Sequence, residues 1–258
     1  MIDRKKLGYV VRNYISRYLN LKVLDYSVQC PYSINYVEEE FLSLMRDAGV
    51  SKDLIDKVHQ GYKGNKSKYG WYRGKGTPEE LEEAFMLLAE ERGFNLQKVS
   101  EEGIREIMKL LGLGIDCSGY IYNVLLGGFR SIDMEEEFVN SLLWGDPART
   151  GVSKASASIF AGSSSSLITD LESLSDLDLL LLKNREAKYT HIAMVLRDDE
   201  KFELTQSIFT VLPNGVRVDK LCVENNFPRF GFKVDMGTDW ETLYKRGQIE
   251  FRRLKILM

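Results

Sequence analysis

Asp116-Cys117-Ser118-Gly119 stands where an apolar helix begins, inside the run LGIDCSGYIYNVLL over 113–126. A thiol at a helix N-terminus has its thiolate favoured by unpaired backbone N–H groups and by the positive end of the dipole. Gly112 and Gly114 close the preceding element, and Asp116 can act as the N-cap. Gly119 leaves room for a substrate backbone beside the thiol, and Asp116 and Ser118 in the same turn are expected to face the oxyanion and substrate with it. The Cys117 N–H, pointing out of the helix start, is a ready oxyanion donor.

A nucleophilic thiol needs a base, and the chain contains two histidines. His59 falls at a polar helix end and reads as a surface residue. His191 opens the apolar strand HIAMVL. If Asp198-Asp199 form a two-residue turn, Arg197 faces Glu200 and His191 faces Gln206 directly across the ladder. Cysteine, histidine and an orienting polar residue are the minimal set for a thiol hydrolase.

The other candidates read as structure. Cys30 precedes a proline in a loop, and Cys222 lies at a strand end. Three cysteines and two histidines show no close-spaced ligand pair, so no metal site is expected. The loop GYKGNKSKYGWYRGKG, residues 61–76, lacks the spacing of a phosphate-binding Walker loop. It reads as a solvated loop, with a substrate-recognition lip as the sharper alternative. No cofactor is called for.

The totals narrow the classes. The chain has 258 residues, 44% of them apolar and 28% charged, enough for one large or two modest domains. A net charge of −3 carries no basic field for nucleic acid. Three sparse cysteines are not a disulfide framework and point to a reducing compartment. No run approaches the ~18 apolar residues of a membrane span, and the N-terminus does not read as a signal peptide. The expected location is therefore cytoplasmic, or exported if a leader has been removed. Oligomeric state is left open.

Periodicity supplies the elements that must position the site. Residues 3–22 read as an amphipathic helix with Leu7, Val10, Val11, Tyr14, Ile15 and Tyr18 on one face. It is expected to dock on the core, with a membrane surface as the alternative. Residues 36–60 suggest short helices. Thr77-Pro78-Glu79-Glu80 is a capping box opening a helix that runs to about Arg92. Further helices are expected over about 101–111, from 117, and over 133–144. The Ser-rich stretch 150–175 reads as a mobile loop or lid. After it, DLLLLK, THIAMVLR, KFELTQSIFTVL, GVRVDKL and IEFRRLKIL read as strands of an antiparallel sheet. Helices first and strands second make the class α+β.

These segments resemble the NlpC/P60 cysteine peptidases. IDCSGYIYNVL is similar to that family's nucleophile motif, and SDLDLLLLK to its GDLLFF strand, with Asp178 at the Asp position. THIAMVL is similar to its histidine strand, and FELTQSIFTVLPNGVRV to the segment that follows. The resemblance implies a papain-like core, a cysteine helix packed on an antiparallel sheet. Residues 1–29 would form an N-terminal helix and lead-in, and 30–258 the catalytic domain, with a helical insertion over about 36–112. The third catalytic residue would be Gln206, or Glu203 if the hairpin is shorter. CPYSIN, residues 30–35, would correspond to a PYxWGG stretch and bring Tyr32 near the thiol. The implied substrate is a small peptide, such as a cell-wall (peptidoglycan) stem peptide or its fragment. Acyl transfer or thioester cleavage on the same triad, and a non-catalytic binding module on an inherited fold, are the alternatives.

Overall fold

The computed structural model describes residues 2–33, 43, 46, 51–53, 55–56, 74–94, 96, 99–142, 152, 155–198, 201–234 and 237–258. The class is α+β, built on an antiparallel sheet and several helices. Helix α1 spans Arg4–Leu19 and is capped by Asp3, whose carboxylate accepts from the Lys5 and Lys6 N–H groups. A small hairpin follows, β1 Leu21–Val23 paired with β2 Tyr26–Val28. Helix α2, Pro78–Glu91, opens on the Thr77–Glu80 capping box; α3 is Glu101–Leu110 and α4 is Cys117–Arg130. Helix α5, Glu135–Leu142, completes this half. The helices expected over 36–60, together with His59, lie largely outside the described residues.

Seven strands make the second half: β3 Ser165–Ile168, β4 Leu179–Lys183, β5 Tyr189–Asp198, β6 Lys201–Ile208, β7 Gly215–Glu224, β8 Phe227–Phe230 and β9 Ile249–Leu254. Their order is β3-β9-β4-β5-β6-β7-β8, with every neighbour antiparallel. Helix α6, Trp240–Lys245, precedes the last strand. The C-terminal strand therefore inserts between β3 and β4 instead of adding to an edge.

Strand alternation divides the core into two. Ile192, Met194 and Leu196 of β5 join the cluster that holds α1 and α4. Ala193 and Val195 point to the other face, among Leu204, Trp240 and Phe251. Helix α4 is apolar nearly all round and is buried accordingly. Helix α1 lays Leu7, Val11, Ile15 and Tyr18 against the core. A Cβ on Gly128 of α4 would come within 2.7 Å of Val11, so the two helices touch where α4 has no side chain. The apolar face of α1 is thus used internally, which overturns the membrane-surface alternative. Two of its arginines reach the sheet half, Arg4 pairing with the fully buried Asp178 and Arg12 with Asp176, while Arg17 pairs with Glu79 of α2.

The mobile-loop reading of 150–175 is corrected for its described part. Ser165–Ile168 is an edge strand on β9, with Ser165 opposite Leu254. The serines are ordered because their hydroxyls satisfy backbone carbonyls: Ser164 donates to Ile159 (2.8 Å) and Ser165 to Phe160 (2.5 Å).

Candidate active site

The cysteine is held by local geometry that its neighbours dictate. Asp116 is the N-cap of α4, its carboxylate accepting from the Gly119 N–H at 2.7 Å. Just before it, Ile115 is tied on two sides. Its N–H donates to Pro31, the Ser33 N–H returns a bond to its carbonyl, and it also bridges to Lys75. The residue that follows Pro31, Tyr32, is half-buried with its ring 5.8 Å from that of Phe209. Burial, followed by Cys117 and Asp116, raises the Tyr32 phenol.

Two strands part at this point. The β5–β6 ladder runs from Asp198↔Lys201 to Met194↔Thr205 and stops there, while Gln206, Ser207 and Ile208 pair with β7. Val195 spends its backbone bonds on Leu177 and Asp178, so by alternation Ile192 turns its N–H toward the β6 side. That N–H favours the Cys117 thiolate. The start of α4 is fastened to β6 beside it: the Ser207 hydroxyl donates to the Ile115 carbonyl (2.6 Å), and Tyr120 and Thr205 share a hydroxyl bond of 2.5 Å. The helix start is thus fastened to β6, and the helix packs against β5 as well.

His191 Nε2 lies 3.0 Å from Gln206 Oε1. The register that makes this contact differs from the one read from sequence. Asp198 pairs with Lys201, so the ladder is shifted by two residues and Gln206 reaches His191 diagonally rather than directly. A two-residue shift preserves parity, so both side chains keep the same face. Glu203 is opposite Leu196 and exposed, which removes it as the partner of His191. Trp240 of α6 covers the imidazole edge-on, with ring centroids 5.5 Å apart.

No protein-family model, no curated protein and no solved structure matches this chain.

The substrate-facing roles expected of Gly119 and Ser118 are corrected. A Cβ on Gly119 would lie 2.5 Å from the Gly74 carbonyl oxygen, so the space beside this residue is filled by the chain's own backbone. Ser118 is buried and bonded, donating to the Ala155 carbonyl (3.0 Å) and accepting from Lys75 Nζ (2.6 Å). Gly119→Ala is therefore expected to displace residues 74–75 and destabilise the protein by about 1–3 kcal/mol. Urea unfolding of the variant measures it, and an unchanged midpoint would show that this contact yields freely.

Lys75 is the residue beside the thiol's helix cap that the sequence reading missed. It is 1% exposed, and its ammonium lies 2.7 and 2.6 Å from the two Asp116 oxygens. The end of the loop read as solvated, 74–76, is in fact stapled to α4 and α1: Asn123 Nδ2 donates to the carbonyls of Lys75 and Gly76, and Tyr18 of α1 donates to Gly76. The one available signal was the pair of flanking glycines. Gly74 adopts φ +66°, a conformation that favours glycine.

Electrostatics set the resting state. Burial and then the Asp116 charge push the Cys117 thiol up to about 11, against the Ile192 N–H, Lys75 and the Ser118 N–H, which all favour the thiolate. Burial pulls His191 down to about 4, against its bond to Gln206. At neutral pH the site is a thiol and a neutral imidazole. The helix-start expectation of a standing thiolate is opposed by burial, the largest effect on this thiol. Cys30 is fully buried, its thiol pushed far up by that burial, and Cys222 is half-buried in β7. Among the described residues no group of three or more His, Cys, Asp or Glu side chains is placed to hold a metal ion. No helix among them is long and apolar enough to cross a membrane.

Proposed function

We propose that the protein is a cysteine hydrolase that cleaves an amide bond of a small peptide through a thioester on Cys117. The observation that supports this best is the His191–Gln206 bond of 3.0 Å, one residue from Ile192, whose N–H favours the thiolate of the helix-start Cys117. With Nε2 engaged by Gln206, Nδ1 is the nitrogen left to take the thiol proton. His191 removes that proton as the sulfur attacks the carbonyl carbon. The oxyanion is received by the Cys117 N–H, which as a first-turn donor has no intrahelical acceptor, and by the Tyr32 hydroxyl. His191 then protonates the leaving amine, and water adds to the thioester, releasing the acid and restoring the thiol. The ion pair forms during attack instead of standing at rest.

The NlpC/P60 resemblance supplies the substrate class, a stem peptide of peptidoglycan or its fragment, and a papain-like arrangement of helix and sheet. A second reading has a specific observation behind it. Cys117 is 7% and His191 8% exposed, and a site that closed to water would favour transfer of the acyl group to an amine.

The test is intact-protein mass spectrometry after mixing with D-amino-acid stem-like peptides and with an activated acyl thioester. Acyl mass on Cys117, absent in Cys117→Ala and lost to water, supports the hydrolase. Faster loss to an added amine than to water moves the assignment to acyl transfer. No acyl mass from any probe leaves a binding module and sinks the proposal.

A further inference from the structure

The bond between His191 and Gln206 can be made in two senses. The imidazole donates from Nε2–H to the amide oxygen, or it accepts at Nε2 from the amide nitrogen. Only the first leaves Nδ1 unprotonated. What decides between them lies one strand further on.

Gln206 Nε2 donates to Asp219 Oδ2 at 3.1 Å. Asp219 is in turn gripped by Arg217, whose Nε lies 2.9 and 2.8 Å from the two carboxylate oxygens and whose terminal nitrogen lies 2.6 Å from Oδ1. A carboxylate in that fork only accepts. The amide must therefore turn its NH2 end to Asp219 and its oxygen to His191. An oxygen can only accept, so the ring nitrogen facing it must carry the proton. Turning the amide over would set N–H against N–H at one end and oxygen against oxygen at the other. Gln206 is fully buried and Asp219 is 7% exposed, so water is poorly placed to relieve either clash.

Sheet register explains why these residues meet. Gln206 pairs with Arg217 and Leu204 with Asp219, so Arg217 and Asp219 flank Gln206 on one face of β7. Apolar contacts complete a circuit. The Arg217 guanidinium lies over the Phe232 ring at 6.0 Å, Phe232 meets Trp240 at 4.9 Å, and Trp240 meets His191 at 5.5 Å.

We propose that Asp219 and Arg217 are positioning residues that act through the Gln206 amide to hold His191 as its Nε2–H tautomer. The consequence for chemistry rests on the reading of His191 as the base for Cys117; the tautomer itself does not.

The chain has two histidines, so nitrogen NMR of protein labelled with 15N-histidine resolves the matter, with His59→Gln assigning the peaks. At pH 7 the wild type is expected to show His191 protonated on Nε2. Asp219→Asn should introduce the Nδ1–H form and slow acylation of Cys117 at least about tenfold, the direction a wrong tautomer takes in triad enzymes. A wild type protonated on Nδ1, or Asp219→Asn with a pure Nε2–H ring, overturns the proposal. Should Asp219→Asn fail to fold, the wild-type spectrum and Arg217→Lys decide it in the same way. A Cys117 that accepts no acyl group, in a protein whose tautomer still responds to Asp219→Asn, would sink the hydrolase reading and uphold the positioning role.

Discussion

His191→Ala is expected to slow acylation of Cys117 at pH 7 by at least ~100-fold, the span general-base assistance supplies. The thiol is pushed up to about 11, so little of it ionises unaided at neutral pH. In the variant the remaining rate should climb about tenfold per pH unit toward that value, because only free thiolate then reacts. In the wild type it should depend far less on pH above the ring's own titration. Stopped-flow acylation by an activated thioester from pH 5 to 10 gives both curves. Equal rates at pH 7 would take His191 out of the mechanism.

The same substitution has a signature in stability. The imidazole titrates near 4 in the folded protein, against about 6.5 in an unfolded chain. Between those values the unfolded state binds the extra proton, so stability is full above about 6.5 and is lost as the pH falls toward 4. The loss is on the order of 3 kcal/mol. His191→Ala should remove that acid limb, seen as urea midpoints that change less between pH 7 and 4.5 than those of the wild type. Cys117 acts at the other end. Its raised pKa means stability is lost as pH rises from the unfolded value toward about 11.

Much of the architecture could be read from local pattern. The capping box at Thr77 and the apolar runs of β4 through β7 and of β9 declare themselves within a few residues, because helix caps and strand alternation are short-range effects. What the sequence hid is long-range. Nothing in IEFRRLKIL says that its strand will insert between β3 and β4. Nothing in the serines of 162–166 distinguishes a loop from an edge strand whose hydroxyls cap nearby carbonyls. The site divides the same way. His191 and Gln206 were found because parity along a hairpin survives a two-residue error in the turn. Asp219, Arg217 and Lys75 were not, because each acts through a partner on another segment.

Lys75 is also where the largest change in stability is expected. Lys75→Met should destabilise the protein by roughly 3–5 kcal/mol, the penalty for leaving one member of a buried pair without the other. The side chains of Lys75 and Asp116 are 1% and 8% exposed, so solvent cannot take over the lost contact. The stranded Asp116 would keep its cap bond from Gly119, and could take the Ser118 hydroxyl proton only by drawing it from the Ala155 carbonyl, so the charge is offset only in part. The variant should also push Cys117 further up, since Lys75 now counters the Asp116 charge. Asp116→Asn in the same chain is the decisive control. Asparagine caps a helix about as well as aspartate and brings no charge. The double variant should therefore recover most of the stability, while Asp116→Asn alone strands the ammonium and is itself destabilising. A double-mutant cycle read by urea unfolding gives the coupling. Additive losses would mean that Lys75 fills space beside α4 without compensating Asp116. A large coupling would mean that a lysine from a glycine-flanked loop end secures the N-cap on which the Cys117 thiol is mounted.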